Sequence, residues 1–112
     1  MDRTASLDLV KTHLKTAYLL NDEKIMTMVP VLLGTLRTHI DQLAQLAANG
    51  ETEQLGRASH AIKGALLNMG LADLAEIAAT LEKHYKNGNT SIDNQALIME
   101  LQSTVAGMGE EG

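Results

Sequence analysis

Residues 25–50 read IMTMVPVLLGTLRTHIDQLAQLAANG, and the placing of their apolar positions decides the fold class. Ile25, Met28, Val29, Leu32, Leu36, Ile40, Leu43 and Ala47 recur mainly at steps of three and four, the spacing that puts side chains on one face of a helix. A half-buried strand would alternate by two, so this stretch is one long amphipathic helix. Asn21 or Asp22 is suited to open it, because a side-chain oxygen there can accept from the first free backbone N–H groups. Asn49-Gly50 is suited to close it, because both residues tolerate left-handed backbone. Pro30 falls inside the span. Either it lies within two turns of the start, where the missing N–H disturbs least, or the helix begins nearer to it.

The same periodicity continues on both sides. Leu7, Val10, Leu14 and Ala17/Tyr18 form a shorter helix before it, and Leu55, Ala58, Ile62, Leu66 and Met69 form a third that stops at Gly70. Leu74, Ile77/Ala78, Leu81 and Tyr85 mark a fourth, closed by Asn87-Gly88-Asn89. A fifth runs from Ile92 to about Val105 through Leu97/Ile98 and Leu101, entered at Thr90, Ser91 and Asp93. Residues 107–112 show no apolar repeat and are expected to form a frayed tail. Short connections force successive helices antiparallel. The expected fold is therefore all-α, a single domain over residues 1–106: an antiparallel up-down four-helix bundle with an additional short N-terminal helix across one end.

Composition narrows the function. The 112 residues include no cysteine, which excludes a disulfide scaffold, a thiolate metal site and a cysteine nucleophile. Fourteen acidic and nine basic side chains give a net charge of −5, and aromatic residues make up 2%. Nucleic acid is thus a poor partner, since it is held by cations on its phosphates and aromatics on its bases. Met1–Ser6 lacks the apolar run of a signal peptide, and no stretch approaches the ~18–20 apolar residues of a membrane span.

Four histidines, His13, His39, His60 and His84, supply the groups that titrate near neutrality. They do not read as metal ligands. No two lie four apart on a helix, and the residues three before them are Val10, Leu36, Arg57 and Leu81, where a carboxylate-bridged centre would need glutamate. On helical wheels His13, His39 and His84 fall within or beside apolar stripes. His60 points about 140° from the centre set by Leu55, Ile62 and Leu66, toward solvent or a partner. Gly56 and Gly64 stand one turn before and after it, each costing about 1 kcal/mol against alanine in a helix. Lys63 lies on the adjoining strip, and Leu67, about 120° from the core centre, is apolar where a solvated face would be polar. An accessible imidazole with a cation, cleared space and an exposed leucine suggests a nucleophile on a docking surface. The alternative is that the glycines allow close helix packing and His60 is an ordinary surface residue.

His60-Ala61-Ile62-Lys63-Gly64 with Asn68-Met69-Gly70 resembles the H-x-x-K-G-x-x-x-x-x-G signature of histidine-containing phosphotransfer (HPt) domains of multistep phosphorelays. The likeness covers roughly residues 20–90, including the long preceding helix and the turn at Asn49-Gly50-Glu51. It implies that His60 accepts a phosphoryl group from a receiver-domain aspartyl phosphate and passes it to another receiver. It further implies that Lys63 steadies the phosphoryl oxygens and that Gly64 leaves room for the receiver. Relatives often carry Gln or Glu twenty-two residues past the histidine; Glu82 stands there, either orienting the ring or as an ordinary solvated charge. Leu67 departs from the small residue of many relatives, and Gly56 is not a family requirement.

Phosphoryl transfer needs positioning and charge stabilisation, usually with Mg²⁺. This chain has neither a G-x-x-x-x-G-K-[ST] loop nor a cluster of acidic ligands. The expectation is a phosphotransfer protein without an ATP site and without an intrinsic cofactor, magnesium coming from the partner receiver. Gly56, Arg57 and Leu67 are the expected partner-binding residues. The reading is a free-standing cytoplasmic monomer between a hybrid sensor histidine kinase and a response regulator. Two alternatives are the phosphoacceptor segment of a chemotaxis-type histidine kinase and a helical adaptor that does not transfer.

Overall fold

The computed structural model describes the backbone of residues 3–111 and side chains over 7–108. Five helices follow in order: α1 (Arg3–Ala17), α2 (Asp22–Asn49), α3 (Thr52–Asn68), α4 (Ala72–Lys86) and α5 (Asp93–Glu111). Among the described residues there is no strand. α2 packs on α3 and α5, α4 packs on α3 and α5, and α3 with α4 forms the most extensive contact. Joined by short turns, these four run alternately up and down. α1 packs on α2 and α5, at the end of the bundle where the α3–α4 turn meets His13. The all-α bundle with an extra N-terminal helix is the fold expected from the sequence.

Local chemistry explains the helix ends. The Asn21 side chain accepts from the Lys24 backbone N–H at 2.8 Å, capping α2, and Gly50 ends that helix in left-handed backbone with φ 69°. Pro30 lies inside α2, past its second turn and on the exposed side. Its ring and its missing N–H therefore face away from the core. Gly70 has φ 77°, and a Cβ added there would lie 2.5 Å from the His13 Cβ. Glycine is required twice at that position, by the backbone and by the approach of α1.

The core line of α2 is Ile25, Val29, Leu33, Leu36, Ile40 and Leu43. Leu33 takes the place expected of Leu32, which with Met28 is only half-buried. Two neighbours, α3 and α5, flank α2, so its apolar surface is broader than one stripe and its centre shifts toward α5. The frayed tail is also corrected. Helix α5 continues through Glu111, and Met108 is fully buried, completing the series Ile98, Leu101, Val105, Met108. Helix α1 supplies the cover for that last turn, with Leu7 and Met108 lining one groove. Gly112 lies outside the described residues.

Candidate functional site

Helix α3 serves two neighbours. Leu55, Ile62 and Leu66 enter the central core, while Gly56, Ser59 and Lys63 form a second strip against α4. His60 stands at the outer edge of that strip with its side chain 66% exposed. From α4, Glu82 reaches toward it with its own side chain only 7% exposed. Glu82 Oε2 lies 2.7 Å from His60 Nδ1, and its Oε1 accepts from Lys63 Nζ at 2.8 Å. Lys86, one turn along α4, brings its Nζ to 3.0 Å from Oε2.

One nearly buried carboxylate thus holds three donors. Its pKa falls from 4.5 to about 2: the Lys63 bond lowers it most, burial pushes it the other way, and the bonds from Lys86 and His60 add to the lowering. An ionised carboxylate is acceptor only, so the proton between the two groups belongs to Nδ1. That tautomer leaves the lone pair on Nε2, on the exposed ring. Among the described residues no side chain bonds Nε2.

The other candidates divide. Gly64 has nothing within 4 Å of an added Cβ, so the space beside His60 is open. Leu67 is exposed on the same helix. Arg57 is exposed and paired with Glu53 at 2.8 Å. Gly56 corrects the helical wheel: it is buried on the α3–α4 seam, 3.9 Å from side-chain atoms of Tyr85 and Lys86 for an added Cβ. A wheel centred on the core residues cannot see the second neighbour that covers this strip. Gly56 still lines, with Arg57, His60, Glu82, Tyr85 and Lys86, a groove of about 640 Å³ along the seam. Lys86 and the buried Ser59 are absent from the sequence reading. The i,i+4 pair Glu82–Lys86, acid before base, was the available signal for the lysine. Among the described residues no group of three His, Asp or Glu side chains is placed to hold a metal ion.

Residues 27–110 match the Hpt domain family. The chain belongs to that family. No curated protein and no solved structure matches it. Domains of this family carry phosphoryl groups on histidine in phosphorelays and have no ATP site of their own. In this Hpt domain the match begins inside α2, so α1 lies outside it.

A second groove lies where the end of α1 meets α3, with the Tyr18 hydroxyl donating to the Asn68 carbonyl oxygen at 3.5 Å. It has a volume of about 300 Å³ and is lined by Tyr18, Met28, Leu32, Leu36, Ala65 and Met69, with Tyr18 half exposed at its edge. Leu19 is 85% exposed and has φ 56°, a backbone that costs a non-glycine residue about 1–2 kcal/mol. That backbone belongs to the turn that ends α1, where the Leu20 backbone N–H donates to the Leu14 carbonyl oxygen at 3.4 Å. No helix among the described residues is long and apolar enough to cross a membrane.

Proposed function

We propose that His60 is the phosphoacceptor and that the Hpt domain relays a phosphoryl group between receiver domains, from a hybrid sensor kinase to a response regulator. The observation that carries this is the His60–Glu82 contact of 2.7 Å on an otherwise exposed ring. The Nε2 lone pair attacks phosphorus of the aspartyl phosphate; the P–O bond to the receiver's aspartate breaks as the P–N bond forms. The ring keeps its Nδ1 proton and becomes cationic, and the Glu82 carboxylate stabilises that charge. In the return step the same carboxylate holds the ring as leaving group. Lys63, on the helix of the histidine, steadies the transferring oxygens, and Gly64 gives the receiver access. The receiver supplies the divalent cation and the acidic pocket. Lys63, Lys86 and Glu82 leave one net positive charge beside His60 in a chain of net −5, which suits that pocket. Leu67, on the helix of the histidine, offers the apolar part of a small transient interface. The domain works as a monomer in the cytoplasm.

The test is transfer from phosphorylated receiver domains of the same organism, followed as acid-labile label. Wild-type protein takes up label and returns it to a second receiver, and His60→Gln takes up none. Equal labelling of His60→Gln, or no labelling across the full set of receivers, refutes the proposal.

A further inference from the structure

We propose that Lys86 is a positioning residue: it holds the Glu82 carboxylate in place and compensates its charge, so that Lys63 is free to leave Glu82 for the phosphoryl group. This rests on the reading of His60 as phosphoacceptor and extends it to a residue outside the signature.

Glu82 is nearly buried and accepts from two ammonium groups, Lys63 at Oε1 and Lys86 at Oε2. A carboxylate removed from water needs at least one cation close by. Lys63 sits three residues past His60 on α3 and is the cation that can follow the phosphoryl oxygens. When it turns to them, its bond to Oε1 is lost. Lys86 sits four residues past Glu82 on α4 and stays with the carboxylate whatever happens on α3. It also shares Oε2 with His60 Nδ1, so it restrains the oxygen that fixes the ring's tautomer. Without Lys86 the carboxylate would hold Lys63 back, because Lys63 would be its one ammonium partner until the ring itself becomes charged.

The test uses potassium phosphoramidate as donor, which phosphorylates histidine directly with loss of ammonia and requires no receiver. Lys86→Gln is expected to lower the rate of His60 labelling about tenfold, the factor of a barrier raised by about 1.4 kcal/mol. Lys86→Arg restores most of the rate. The ¹⁵N shifts of the His60 ring in Lys86→Gln move toward a mixture of tautomers while the far-UV circular dichroism stays that of the wild type. Labelling of Lys86→Gln at the wild-type rate overturns the proposal, as does a loss that Lys86→Arg fails to restore. Loss of labelling in His60→Gln under the same donor is the control. If receivers fail to transfer but the Lys86 dependence with phosphoramidate holds, the relay reading fails and this assignment stands.

Discussion

Glu82→Gln tests the buried carboxylate through the pH dependence of folding. In the folded protein Glu82 keeps its charge down to about pH 2, whereas its ordinary value is 4.5. A carboxyl depressed on folding contributes stability that is fully present above its unfolded value and is lost as the pH falls through its folded one. The window is therefore pH 4.5 down to about 2. At about 1.4 kcal/mol per pH unit the difference is worth about 3 kcal/mol. The side chain is 7% exposed, so solvent screening takes little from that figure, although the outer partner, Lys86, is itself well exposed. Glutamine keeps the shape and an acceptor oxygen but not the charge, and it leaves the half-buried Lys63 without an anion. Wild type and Glu82→Gln are compared by urea unfolding followed by far-UV circular dichroism at pH 7, 4.5, 3 and 2. The variant is expected to be less stable by about 2–3 kcal/mol at pH 7, with the gap closing as the pH approaches 2. All other carboxylates titrate in both proteins and cancel in the difference. A gap that is the same at pH 7 and pH 2, or below about 0.5 kcal/mol throughout, refutes the assignment of Glu82 as the charged hub.

Gly64→Ala should raise the stability by up to about 1 kcal/mol, since the space is open and alanine favours the helix, while slowing transfer from a receiver; a variant that is both more stable and fully active removes the role in access. Gly70→Ala should destabilise by about 2–3 kcal/mol from the left-handed backbone and the clash with His13, measured by thermal unfolding, and a neutral result contradicts the α1 placement. Ser59→Ala should be neutral or stabilising by about 1 kcal/mol, because the buried Oγ has no hydrogen-bond partner among the described residues; a loss above about 1 kcal/mol shows that it has one. Lys63→Ala should slow phosphoryl transfer at least tenfold yet cost less stability than Glu82→Gln, because Lys86 remains on the carboxylate.

The long helix was legible because Ile25, Val29, Leu36, Ile40 and Leu43 keep their period over five turns, and a period of that length admits no other element. His60 was legible as outward because Leu55, Ile62 and Leu66 define the opposite face. What the sequence did not show depends on second neighbours. Leu33 displaced Leu32, and Gly56 turned inward, because each helix of a bundle touches two others and a wheel has one centre. The last turn of α5 was missed because Gly107 and Gly109 weaken the helical signal, although Leu101, Val105 and Met108 keep the spacing. Its stability comes from α1, which periodicity within α5 cannot report. Lys86 escaped for the same reason: its meaning arises only when α3 and α4 meet at Glu82.

The placing of the four site residues on two helices has a physical logic. His60 and Lys63, which would contact the phosphoryl group, share α3, and Glu82 and Lys86, which would not, share α4. The ring is oriented across the seam, so its direction is as rigid as the α3–α4 contact, the most extensive in the bundle. A hydrogen bond of 2.7 Å between two helices tolerates only a few tenths of an ångström of sliding, and the close-packed core to which Leu66 of α3 and Leu74, Ala78 and Leu81 of α4 belong resists it. The nucleophile can therefore stand in solvent, open to a receiver, while the group that fixes its tautomer stays nearly dry. Burial makes that group's charge costly, and the two lysines offset the cost. Had the carboxylate been exposed, water would have competed for it and for Nδ1, and the ring would have exchanged tautomers freely.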